Sequence, residues 1–252
     1  MLEVTALDSL KLLNLNYIVD EETFFNFSCV EDDTSGKIYL QTNSTSANES
    51  LSHIVNTSSE KQAFTGTLFG GDGKKRGNAN QPLHTGFLPP KARLILSAQD
   101  IEDIFDASPW RGPALIEIQG TGPFEVMTKL ISPSGLISNT NCVREEQVHN
   151  IEGFDSNAVT YVRFINDGRE PIRDIRGSLY DENGDLVGFG NPVIVEELLP
   201  KAHIWRTRDQ LAEIAGDTWL GSVSLRIQNP SRDLKLINLN LINNETFFNF
   251  SC

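Results

Sequence analysis

LKLLNLNYIVDEETFFNFSC, residues 10–29, returns as LKLINLNLINNETFFNFSC, residues 234–252, at the other end of the chain. One residue of slack in the turn aligns nearly everything else. Self-similarity of this kind marks a periodic protein, in which each repeat buries its apolar face against a neighbour. In the first copy Leu10, Leu12 and Leu15 carry an apolar pattern with Asn14 and Asn16 between them. The acidic turn Asp20-Glu21-Glu22 then leads into the aromatic run TFFNFSC. Alternating and aromatic strands about a polar turn predict a β-hairpin. A lone hairpin is marginal in water, so one carrying Phe24, Phe25 and Phe27 must lie on something.

Further pairs of segments align between the two ends. FTGTLFGGDGKKRGNAN (64–80) matches IRGSLYDENGDLVGFGN (175–191), each two strands about a glycine-containing turn. TGFLPPKARLIL (85–96) matches VEELLPKAHIWR (195–206). Ser97 and Thr207 then cap AQDIEDIF and RDQLAEIA, short helices with acids near their starts. Trp110 and Trp219 follow at matching places, and LSHIVN (51–56) and VTYVRFI (159–165) open the two copies. The expected fold is all-β: two tandem β-sandwich modules, each with one short helix, plus an N-terminal hairpin from a partial third repeat. Residues 1–29 are that partial repeat, 30–50 a polar linker with Ile38–Leu40 as a strand candidate inside it, 51–142 module 1 and 150–252 module 2, with Val143–Asn150 joining them. The two modules are distantly alike and the two ends nearly identical, which implies copying with a period of about 224 residues.

A net charge of −13 argues against nucleic acid, whose phosphates need a basic face, and against an anionic membrane surface. No run of about 18 apolar residues is present, which predicts no membrane-spanning helix. The start has no basic and then apolar leader pattern, as expected if a signal had been removed or the sequence were part of a longer one. Cys29, Cys142 and Cys252 each close a repeat. Equivalent positions a module apart are too distant for a disulfide, so free, buried thiols are expected, and the odd count leaves an inter-chain bond open.

Chemistry-bearing patterns are sparse. No catalytic residue, cofactor or dedicated metal site is expected. His53, His84, His149 and His203 do not cluster in the sequence, and no serine sits in a nucleophile-elbow context. Asp181–Asp185 has carboxylates at calcium-loop spacing without the closing glutamate, and reads as a hairpin turn. Asp20–Glu22 and Glu31–Asp33 leave room for calcium at the linkers. Trp110 and Trp219 match between modules and read as core, whereas Trp205 is unmatched and is the candidate ligand face. Asn43 and Asn48 fit the N-glycosylation pattern in the polar stretch. Leu10, Leu12, Leu15, Phe24, Phe25 and Phe27 are the candidate subunit-interface residues.

LPPKARLILSAQDIEDI (88–104) and LLPKAHIWRTRDQLAEI (198–214), with LISPSGLISNTNC (130–142) and NETFFNFSC (244–252) closing the modules, carry a resemblance. The chain resembles tandem immunoglobulin-like or fibronectin-type β-sandwich repeats of large secreted prokaryotic surface proteins. The resemblance implies an extracellular spacer, adhesin stalk or filament subunit that partners copies of itself. It carries no catalytic residues across, and the Cys…Trp…Cys spacing of antibody domains is missing. Two readings follow: a fibre or surface-array subunit assembled through its hairpin, and an extracellular carbohydrate- or protein-binding module.

Overall fold

The structure, a computed structural model, describes residues 15–18, 23–26, 31–40, 43, 44, 46, 48–135, 137–139, 148–151, 153, 158–228, 231–242 and 246–249. The chain is mostly strand. In order it forms β1 (Leu15–Ile18), β2 (Thr23–Asn26), β3 (Glu31–Leu40), β4 (Glu49–Asn56), β5 (Phe64–Phe69), β6 (Gln81–Pro82), β7 (Arg93–Ser97), α1 (Ala98–Phe105), β8 (Ala114–Ile131) and β9 (Ile137–Asn139). It continues with β10 (Val148–Ile151), β11 (Ala158–Asn166), β12 (Ile172–Tyr180), β13 (Leu186–Val187), β14 (Val193–Leu198), β15 (His203–Thr207), α2 (Arg208–Ala215), β16 (Val223–Ile227), β17 (Leu234–Ile242) and β18 (Thr246–Asn249). Two compact units result. Unit 1 comprises Met1–Leu68, Arg76–Arg111 and Ile116–Asn141; unit 2 comprises Phe69–Lys75, Gly112–Leu115 and Cys142–Cys252.

In unit 1 the hydrogen-bonded strand order is β6-β5-β8-β4-β7, with β3 and β9 also on β8. Residues 124–131 of β8 pair antiparallel with β4. Alternation along β4 sends Ser50, Ser52 and Ile54 to one face and Leu51, His53 and Val55 to the other. Ile54, Phe64, Ile101, Phe105, Trp110 and Phe124 are buried, and the Phe64 and Phe124 rings meet edge to face at 5.1 Å. In unit 2 the orders are β10-β16-β12-β13, with β14 on β12, and β15-β11-β17-β18. One apolar core draws on both of these sheets, with Val162 and Phe164 from β11, Leu179 from β12, Leu225 from β16 and Leu211 from α2.

Both helices form where their caps predict. Ser97 and Thr207 accept from the backbone N–H of Asp100 and Gln210, whose side chains reach back to the cap N–H. These reciprocal boxes satisfy donors that a helix start otherwise leaves open. Each helix stops at a left-handed residue, Asp106 and Gly216 respectively.

Two connections expected from the sequence are strands instead. Glu31–Leu40, read as polar linker apart from the strand candidate Ile38–Leu40, is one strand that pairs with β8 and buries Ile38, Tyr39 and Leu40. Burying these three side chains outweighs the polar composition of the seven residues before them. Likewise Val148–Ile151, which overlaps the end of the expected link Val143–Asn150, pairs antiparallel with β16, and Ile151 joins the unit 2 core.

Local devices recur between the units. Asn56 ends β4 and Asn166 ends β11, both fully buried. The Asn56 amide donates to the carbonyls of Glu60 (2.8 Å) and Leu88 (3.0 Å). The Asn166 amide donates to those of Glu170 (2.7 Å) and Leu198 (2.9 Å). Lys91 and Lys201 both take positive φ and donate through Nζ to Thr57 and Asp167 carbonyls. Each asparagine thus closes its own strand end onto the turn that precedes the next edge strand.

Candidate functional site

Three hairpins close repeats, and all three keep one register. Leu15 faces Asn26 across β1–β2, Lys129 faces Asn139 across β8–β9, and Leu239 faces Asn249 across β17–β18. The third lies inside the four-stranded sheet, where Leu239 also faces Tyr161 of β11. The first forms a two-stranded sheet, with no third hydrogen-bonded strand among the described residues. Its β2 lies against β9 within unit 1. The backbones of β1 and β2 therefore carry Leu15, Phe24 and Phe25 on a hairpin matched in register to one that elsewhere has a β11 beside it. Leu10, Leu12 and Phe27 of the expected interface lie outside the described residues.

The face of β11 and β15 turned away from the unit 2 core holds a second constellation. Arg163 faces Trp205 across the ladder, and its guanidinium carbon lies 5.7 Å from the Trp205 ring centre. Tyr161 meets the same ring edge to face at 5.9 Å. Arg163 is wholly buried; its Nη2 donates to His203 Nδ1 (2.9 Å) and, at 3.4 Å, to the Ala114 carbonyl. Because Nδ1 accepts, the neutral His203 carries its proton on Nε2. Burial first, and then the Arg163 charge, push the His203 pKa down to about 2, against the opposing pull of a hydrogen bond to the Pro113 backbone. A protonated His203 would place two cations together in a desolvated site.

A turn, also part of unit 2, covers the His203 end of this face. The turn at Gly70–Lys74 is closed by Gly70 N–H to Lys74 O and Gly73 N–H to Gly70 O. Gly71 O accepts from the His203 N–H (3.0 Å), and Asp72 forms a β-bridge with Ala202. The fit is close: a Cβ on Gly71 would lie 2.9 Å from His203 Nε2, and one on Gly73 would lie 2.3 Å from the Pro200 carbonyl oxygen.

Trp205, the expected ligand face, is thus half-buried in a cross-strand cluster with Tyr161 and Arg163. Those two residues were not singled out in the sequence, although an arginine inside the apolar run VTYVRFI is the available signal for a buried charge. Trp110 and Trp219 are buried, as core residues should be. Glu102 of α1 is buried. Asn43 is exposed and Asn48 half-buried. Ser44 binds both the N–H and the carbonyl of Trp110, while Ser50, which completes the Asn48 acceptor pattern, is buried. Asp181 Oδ1 accepts from the N–H of Asn183 and Asp185, the wiring of a turn. Among the described residues no three His, Cys, Asp or Glu side chains gather as a metal site. Cys29, Cys142 and Cys252, and the acidic residues 20–22, lie outside the described residues.

No protein-family model matches the chain, and no curated protein matches it. Among solved structures it is similar to one from Parabacteroides distasonis described as "a putative secreted protein", at 10% identity over 83% of this chain and 88% of the other, with a TM-score of 0.22. No helix among the described residues is long and apolar enough to cross a membrane.

Proposed function

We propose that this protein is a structural subunit of an extracellular fibre or surface array, built from two immunoglobulin-like β-sandwich modules and joined head to tail by its N-terminal hairpin. The observation that carries the reading is the shared register of β1–β2 and β17–β18. The same residue types, paired the same way, sit inside a four-stranded sheet at one end and in a two-stranded sheet at the other. Strand addition of this sort supplies backbone hydrogen bonds for affinity and side-chain burial for fit. Each of Phe24, Phe25 and Phe27 adds about 1.5–3 kcal/mol when buried. Head-to-tail contacts that do not close give open polymers. No catalytic role is assigned.

Sedimentation velocity over a range of concentrations tests the reading. The full chain should form concentration-dependent oligomers, and deletion of residues 1–29 should return a monomer of unchanged circular dichroism. A full chain that stays monomeric at every concentration, or oligomers that survive the deletion, would overturn it.

A further inference from the structure

The turn Asp181–Asp185 repeats the two backbone bonds of the turn Gly70–Lys74. Asp181 N–H donates to Asp185 O at 2.9 Å, as Gly70 N–H does to Lys74 O, and Gly184 N–H donates to Asp181 O at 3.0 Å, as Gly73 N–H does to Gly70 O. Gly184 and Gly73 share a positive φ, 84° and 75°. Their surroundings differ. A Cβ on Gly73 would strike Pro200, whereas one on Gly184 would meet nothing within 4 Å. Glu182, Asn183, Gly184 and Asp185 are all exposed. So the turn seated on Pro200–His203 has a structural twin that is exposed, with no seat among the described residues.

The seat has a twin as well. Pro90–Arg93 aligns with Pro200–His203 in the paired segments LPPKAR and LLPKAH. Lys91 and Lys201 take the same left-handed backbone, φ 59° and 60°, and β7 and β15 start at Arg93 and His203. At Pro200–His203, where the Gly70–Lys74 turn sits, Ala202 and His203 are buried. At Pro90–Arg93 the side chains of Pro90, Lys91 and Arg93 are exposed and Ile95 is 42% exposed. Strand β7 ends its hydrogen-bonded order among the described residues, with an unpaired edge there. Behind it His53, which stands where unit 2 has Arg163, is buried with neither ring nitrogen hydrogen-bonded among the described residues.

We propose that the Asp181–Asp185 turn of one copy docks on the Pro90–Arg93 edge of a second copy, reproducing the seat that Gly70–Lys74 takes on Pro200–His203. In that pose the Glu182 carbonyl accepts from the Arg93 N–H, Asn183 bridges Ala92, and Gly184 lies against the Pro90 carbonyl. The charges agree: Glu182 and Asp185 come to Lys91 and Arg93, where the seated turn has the neutral Gly71 and the cation Lys74. The occupant is therefore another copy of this chain, and the contact is heterologous, so it propagates. The inference rests on the proposed self-assembly only in taking the copies to meet end to end, and it uses no residue of the N-terminal hairpin.

The test compares the full chain with Glu182→Lys/Asp185→Lys and with Arg93→Glu by sedimentation velocity, with melting curves to verify folding. These are exposed side chains, and each charge reversal should weaken self-association about fivefold or more. An equimolar mixture of the two variants should recover it, because the basic turn of one variant then meets an edge that carries a carboxylate in place of the Arg93 cation. Variants that associate like the parent, or a mixture that recovers nothing, would overturn the proposal. Deletion of residues 1–29 separates the two ideas. Association lost on deletion but indifferent to the charge reversals leaves the hairpin reading standing and removes this one. Association that survives deletion but responds to the reversals does the opposite.

Discussion

His53 is a basic side chain buried without a hydrogen bond to either ring nitrogen among the described residues. Burial first, then the charges of Lys129 and Arg93, hold its pKa at about 4. An unfolded histidine takes its proton near pH 6.5. Between those values the unfolded chain binds a proton that the folded chain refuses, so stability falls as pH drops through that window and levels off below it. The ceiling is about 1.4 kcal/mol per pH unit, roughly 3 kcal/mol in all. His53→Leu should flatten this part of the acid response of unit 1, at little cost at pH 7, in urea titrations from pH 7 to 4.5. Parallel curves for the two proteins would contradict the assignment. Asn56 and Asn166 are the opposite case, buried polar groups fully used. Alanine at either leaves carbonyls stranded and should cost about 2–4 kcal/mol in chemical denaturation; a loss under about 0.5 kcal/mol would refute their role as strand-end closures.

At the scale of elements, twin turns make a matched experiment. Gly73→Ala and Gly184→Ala place the same side chain on the same left-handed backbone, which costs about 1 kcal/mol by itself. Only the first also drives a methyl group into the Pro200 carbonyl. Thermal melts should therefore show Gly73→Ala losing at least about 1 kcal/mol more than Gly184→Ala. Equal losses would mean the Gly70–Lys74 turn does not press on its seat in solution. The helices need no such comparison to be understood. Ser97 and Thr207 announced them in the sequence because a cap three residues ahead of its reciprocating side chain is a local signal. Strand β3 was legible only at its end. Ile38-Tyr39-Leu40 read as a strand candidate, whereas the seven polar residues before it carry no apolar alternation to extend the strand.

For the whole molecule, repetition was legible and its seating was not. The hairpin copies, the paired turns and the Leu-Pro-Lys-Ala corners could be aligned because each is a short continuous string. The cluster of Tyr161, Arg163, His203 and Trp205 could not be foreseen, because its lid comes from Gly70–Lys74 and Ala114, distant in sequence and contributing backbone rather than side chains. Bare glycine and carbonyl oxygens leave no readable trace of the partner they meet. The conserved pairing of the three hairpins carries a practical corollary. Leu15 finds Asn26 across a tip one residue longer than the tip between Leu239 and Asn249. The pairing is therefore set by the strands and not by the length of the segment that joins them. A foreign peptide spliced between the paired strands should leave the ladder untouched, which makes the join a natural point for displaying an epitope.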